Sequence, residues 1–71
     1  MDAQTFAWNT ACRIAETLDG IKPEDIDVQV DVNTDGIMEP TITYFDTEAG
    51  YTFRGKWYDG ESINDIRWEM I

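Results

Sequence analysis

Between Ile26 and Val32 every second residue is apolar: Ile26, Val28, Val30 and Val32 alternate with Asp27, Gln29 and Asp31, and Asp25 and Asn33 extend the polar series at either end. A period of two belongs to a half-buried β-strand, whereas a helix would scatter the valines around its surface. The next residues, Asn33-Thr34-Asp35-Gly36, have the composition of a tight turn. A three-residue loop at 34–36 with Gly36 in the left-handed conformation sets Val32 opposite Met38, Val28 opposite Ile42 and Ile26 opposite Tyr44. Slipping the pairing by one residue would drive Glu39 into the apolar layer, so pattern and turn together select one register.

The flanking sequence extends this hairpin into a meander. Strand two is expected at 38–46, Thr47-Glu48-Ala49-Gly50 as a turn, and strand three at 51–58, with Phe53, Gly55 and Trp57 turned to one side and Arg54, Lys56 and Tyr58 to the other. Upstream, residues 2–19 read as a helix. Ala3, Ala7, Ala11, Ile14, Ala15 and Leu18 form its apolar stripe, Trp8 and Cys12 flank it, and Gly20 stops it at the C′ position. A stripe mostly of alanine lets the helix approach the sheet closely, beneath Tyr44, Phe53 and Trp57. Gly55 reads as a place where a ring or the helix comes close to the sheet, and Trp8, Trp57 and Trp68 read as core.

Two readings of the C-terminal residues stand side by side. Ser62 with Asp65 suits the cap of a short helix carrying Ile63, Ile66 and Met70, while Ile66, Trp68 and Met70 also alternate with Asp65, Arg67 and Glu69 as a strand would. Few residues remain for an isolated helix, which favours the strand. The expectation is an α+β fold in a single domain over 1–71: one N-terminal helix on an antiparallel meander of three or four strands.

Charge is the principal functional signal. The 71 residues carry a net charge of −10, and residues 16–48 hold ten acids against Lys22 alone. Nine of the ten surplus charges therefore lie in the middle of the chain. Such a surplus opposes direct binding to nucleic acid or anionic lipid, which requires clustered Lys and Arg, and it speeds association with basic proteins. The nine aromatic residues set the chain apart from disordered acidic sequences. No apolar run approaches the ~20 residues of a membrane span, no signal segment opens the chain, and the lone Cys12 fits a reducing compartment, so the expected location is cytoplasmic.

Catalytic constellations are nearly missing from the sequence. There is no His, the only Ser is Ser62, and no base in sequence is placed to activate Cys12, so an enzyme is not expected, nor is a cofactor. Asp31-Val-Asn33-Thr-Asp35-Gly36, with Glu39 further on, resembles the first half of EF-hand and dockerin calcium loops. Ile42 stands where that family has its bidentate acid, and strand-like flanks with Pro40 replace the helix, so no metal site is expected.

The candidate partner-binding residues are Asp25, Asp27, Asp31, Asp35, Glu39, Phe45, Asp46 and Glu48. Asp31 opposite Glu39 breaks the rule against like charges facing each other across strands, and Glu16 and Asp19 meet the negative end of the helix dipole. Two departures of the same sign point to a use outside the chain. Residues on alternate positions repeat every ~6.6 Å along a strand, close to two of the ~3.4 Å steps between phosphates on one DNA strand. The open sheet face also grades from Asp25, Asp27 and Asp31 on strand one, across Thr41, Thr43 and Phe45, to Arg54, Lys56 and Tyr58 on strand three.

In topology and charge, Asp2–Tyr58 resembles small phage-encoded nucleic-acid mimics, anti-CRISPR proteins in particular. Glu61-Ser62-Ile63 is similar to a segment of uracil-DNA glycosylase inhibitors. The resemblance implies an acidic inhibitor that occupies the basic groove of a nucleic-acid-binding protein in the host cytoplasm. The alternative is a small adaptor or regulatory domain that binds a protein through the dipolar sheet face or a strand edge.

Overall fold

The computed structural model describes residues 2–57 and 61–71 and consists of one helix packed on a four-stranded antiparallel sheet, an α+β arrangement. Helix α1 spans Ala3–Thr17 and strands β1 Ile26–Val32, β2 Met38–Asp46, β3 Tyr51–Lys56 and β4 Glu69–Met70, with the sheet ordered β1-β2-β3-β4. Short 3-10 turns at Pro23–Asp25 and Ile63–Asp65 lead into β1 and towards β4.

Asp2 lies just outside α1 as its N-cap: its carboxylate accepts the Thr5 N–H at 2.7 Å. That bond to the ionised form holds the Asp2 pKa below its usual value. The helix stops two residues earlier than the stripe implied. Leu18 is the C-cap, so Gly20, at φ 79°, is one position beyond C′ and turns the chain after the helix has already ended. Thr10, Ala11 and Ile14 are the buried residues of α1. Thr10 is tolerated there because its hydroxyl donates to the Phe6 carbonyl at 2.8 Å. Ala3, expected on the buried stripe, is exposed.

The β1–β2 register is the one the alternation demanded, from Ile26 opposite Tyr44 through Val28 opposite Ile42 to Val32 opposite Met38. In the loop, Asn33 Oδ1 accepts from the N–H of Asp35 and of Ile37, Asn33 N–H donates to the Ile37 carbonyl, and Gly36 takes φ 78°. A side-chain acceptor and a left-handed glycine thus close the turn. Pro40, buried in β2, fits because its carbonyl still accepts the Trp57 N–H at 3.2 Å just past the end of β3, where its missing N–H interrupts little of the ladder.

Strand β3 ends at Lys56, two residues short of the expected boundary, and Tyr58 lies outside the described residues. The core-facing side of β3 differs further from expectation. Helix α1 packs over β1 and β2, while Ile66 and Trp68 of the C-terminal segment lie against Gly55. A helix ~10 Å across cannot blanket four strands ~4.8 Å apart, so the C-terminal residues close the remainder. They do so as a 3-10 turn capped by Ser62, whose Oγ accepts the Asn64 N–H, and then as β4, joining features of both sequence readings.

Ala11, Ile14, Ile26, Ile42, Tyr44 and Ile66 form the core, with Ile14 and Ile42 fully enclosed. Tyr44 stacks on Phe53 at 5.6 Å between centroids and receives the Trp68 ring edge-on at 5.0 Å. Burial, with Asp46 nearby, raises the Tyr44 pKa. Trp57 donates through Nε1 to the Glu61 carbonyl at 2.8 Å and carries the Arg13 guanidinium 4.8 Å above its ring. Trp8 is not a core residue: it is 52% exposed, and the residues of this segment that pack on the core, Ala11, Ile14, Ala15 and Leu18, all follow it in the chain.

Candidate partner-binding surface

The face of the sheet opposite α1 has no covering layer from the described elements, and strand pairing sets its side chains in rows. One row runs Asp27, Thr43, Arg54, Glu69 and the next Gln29, Thr41, Lys56. A third pairs Asp31 with Glu39 near the β1–β2 loop. Towards the other end, Phe45 lies opposite Thr52, whose carbonyl accepts the Ile71 N–H at 2.8 Å. Asp27, Asp31, Arg54, Lys56 and Glu69 are all exposed, as are Phe45 at 54% and Ile71 at 64%.

The acidic candidates do not form a single patch. Asp27 and Asp31 share the outer face of edge strand β1, ~13 Å apart along it, and Asp35 lies beyond them in the loop. Asp25 belongs to the 3-10 turn and not to the strand ladder. Glu39 opposes Asp31 as expected, but it is half-buried and accepts a hydrogen bond from Asn33 Nδ2 at 3.1 Å, which fastens it to the hairpin. Asp46 sits at the opposite end of β2, where its carboxylate accepts the N–H groups of Glu48 and Ala49 and shapes the β2–β3 turn, leaving Glu48 exposed there. Asp27 and Asp31 therefore make up the strand-borne acidic pair, Asp35 extends it into the loop, and Asp46 serves the turn.

The basic side of the face is richer than the alternation of β3 suggested. Arg54, Lys56 and Arg67 line a shallow cleft of about 700 Å³ together with Thr41, Gly55, Glu61 and Glu69. Arg67 and Glu69 were missed as surface residues because the fate of residues 62–71 was open. Their alternation with Trp68 and Met70 was the available signal. The grading from acid to base is present across β1 to β3, and Glu69 on β4 returns acid to the far side.

Among the described residues no three acidic or cysteine side chains cluster closely enough to hold a metal ion, and no helix is long and apolar enough to cross a membrane. The half calcium motif folds as a hairpin turn in which Asn33 Oδ1 binds two backbone N–H groups. No protein-family model, curated protein or solved structure matches the chain.

Proposed function

We propose that this chain is a non-enzymatic acidic inhibitor that presses the β1 side of its open sheet face into the basic groove of a nucleic-acid-binding protein, in the cytoplasm of a host cell. The observation that carries this reading is the exposed pair Asp27 and Asp31 on an edge strand, continued by exposed Asp35 in the loop that follows, in a chain of net charge −10. Carboxylates on a rigid strand meet a cationic groove without the entropy loss of ordering a loop, and the surrounding field raises the encounter rate. The test is competition for a fluorescent duplex bound to nucleic-acid-binding proteins with basic grooves, repeated over a salt series. Displacement that weakens with salt and is lost in Asp27→Lys/Asp31→Lys supports the reading, and undiminished displacement by that variant sinks it.

A second reading, an adaptor that binds a protein through the dipolar face, is favoured by the gathering of Arg54, Lys56 and Arg67, three of the five basic residues, around one cleft on that face. An exclusively basic groove would repel those groups. Under this reading Arg54→Glu/Lys56→Glu costs more binding than the Asp27/Asp31 reversal.

A further inference from the structure

We propose that the outer edge of β1 receives an extended, basic segment of a partner protein as an additional antiparallel strand. The inference rests on the partner being basic, which it shares with the groove reading, but it requires no nucleic-acid mimicry. β1 is the first strand of the sheet, and among the described residues no strand pairs with its outer edge.

The hydrogen-bonding alternation decides which groups that edge offers. The Asn33 N–H donates to the Ile37 carbonyl, and Asn33 has the same parity as Asp27, Gln29 and Asp31. Those residues therefore direct their backbone groups inward to β2, and the N–H and C=O of Val28, Val30 and Val32 point out from the sheet. An incoming strand forms its hydrogen-bonded pairs with the three valines. Asp27, Gln29 and Asp31 then stand in non-hydrogen-bonded pairs, where opposed side chains come closest, Cα to Cα ~4.5 Å.

That geometry sorts partners by charge. A second copy of β1 laid antiparallel about Gln29 would oppose Asp27 to Asp31 in both halves of the pair, the like-charge contact that strands avoid. A segment with Lys or Arg four residues apart on one face meets both carboxylates instead. Its alternate apolar residues fall on the other face, beside Val30 and Val32, the latter 62% exposed. The edge thus admits a strand that is basic on one side and apolar on the other.

The probe is a decapeptide of alternating Lys and Val, compared with the same peptide N-methylated at its valines, which keeps the charge and removes the donors. Titration into the isotope-labelled protein is expected to slow hydrogen exchange at the amides of Val28, Val30 and Val32, with N-methylation weakening binding at least tenfold. Asp27→Lys/Asp31→Lys, checked for folding by its urea melt, is expected to lose the unmodified peptide. Equal binding of both peptides would reduce the effect to charge attraction and overturn the inference, and so would protection confined to β3 or β4. No peptide pairing with duplex displacement intact removes this inference and leaves the groove reading. Pairing with no displacement removes the groove reading alone.

Discussion

Replacing Gly55 by Ala tests the closure of the core by the C-terminal segment. A Cβ at that position would lie 2.6 Å from Ile66 Cγ2 and 2.9 and 3.1 Å from Trp68 Cε3 and Cζ3. Carbon atoms rest ~3.5–4.0 Å apart, so Ile66 must retreat by about 1 Å, with Trp68 following. Neither side chain has much freedom, because Ile66 is buried and the Trp68 ring is set edge-on against Tyr44. Overpacking of this kind costs ~1–3 kcal/mol. Restricting the unfolded chain returns ~0.4–1 kcal/mol of that.

The net expectation is a loss of ~1–2 kcal/mol, against a total of roughly 4–10 kcal/mol for a chain of this length. In urea, with a slope near ~1 kcal/mol/M, the midpoint should fall by ~1–2 M, and the thermal midpoint by several degrees. Trp fluorescence can follow the melt. Ile66→Ala removes the closest atom, so Gly55→Ala should cost less in that background than in the native one, a coupling that a double-mutant cycle measures. A neutral or stabilising Gly55→Ala, or strict additivity with Ile66→Ala, would refute the close packing of residues 66–68 on β3.

Four further outcomes are expected. Ala11→Leu, at a buried helix position, should cost ~1–3 kcal/mol, while Thr41→Ala and Thr43→Ala on the open face should change the urea midpoint little; the reverse order would invert the assignment of faces. Because the folded Asp2 pKa is lowered, its contribution is present above the unfolded carboxylate pKa and is lost as pH falls through the folded value, so Asp2→Asn should flatten the acid limb of the stability curve. The raised Tyr44 pKa has the opposite sense: its contribution is full below the unfolded tyrosine pKa and is lost as pH rises through the folded one, which absorbance near 295 nm can follow against Tyr44→Phe. Calorimetry should find no saturable calcium binding tighter than ~10 μM, since Asn33 Oδ1 is engaged by the turn and Ile42 replaces the chelating acid.

The hairpin was legible in the sequence because two independent constraints met there, the alternation of Ile26–Val32 and the turn chemistry of Asn33–Gly36, and only one register satisfies both. Trp8 was harder to place because an aromatic residue at the flank of a stripe is buried only if the partner layer extends that far, and the layer's width is a property of the whole sheet. The same long-range quantity hid the role of Ile66 and Trp68. Local alternation could show that they were apolar on one side, but not that α1 would leave β3 uncovered. On the acidic surface, side-chain type was plain while side-chain use was not: Asp46 and Glu39 look like Asp27 and Asp31 in the sequence, yet their carboxylates are taken up by a turn and by Asn33.

That difference in use determines which substitutions can separate function from folding. The core binds one face of the sheet to α1 and the C-terminal segment, and Asp27 and Asp31 project from the other face of an edge strand. Reversing Glu39 would break its bond from Asn33 and confuse lost binding with a loosened hairpin. Reversing Asp31 removes the like-charge contact with Glu39 and replaces it with an attractive pair, so Asp31→Lys should leave stability unchanged or raise it by a few tenths of a kcal/mol. A variant that melts at or above the native urea midpoint while losing its basic partner would show that the acid on β1 is retained at a cost to the fold. A variant that melts markedly lower would mean that the carboxylate of Asp31 supports the hairpin, and the argument for an external use of this strand would lose its energetic basis.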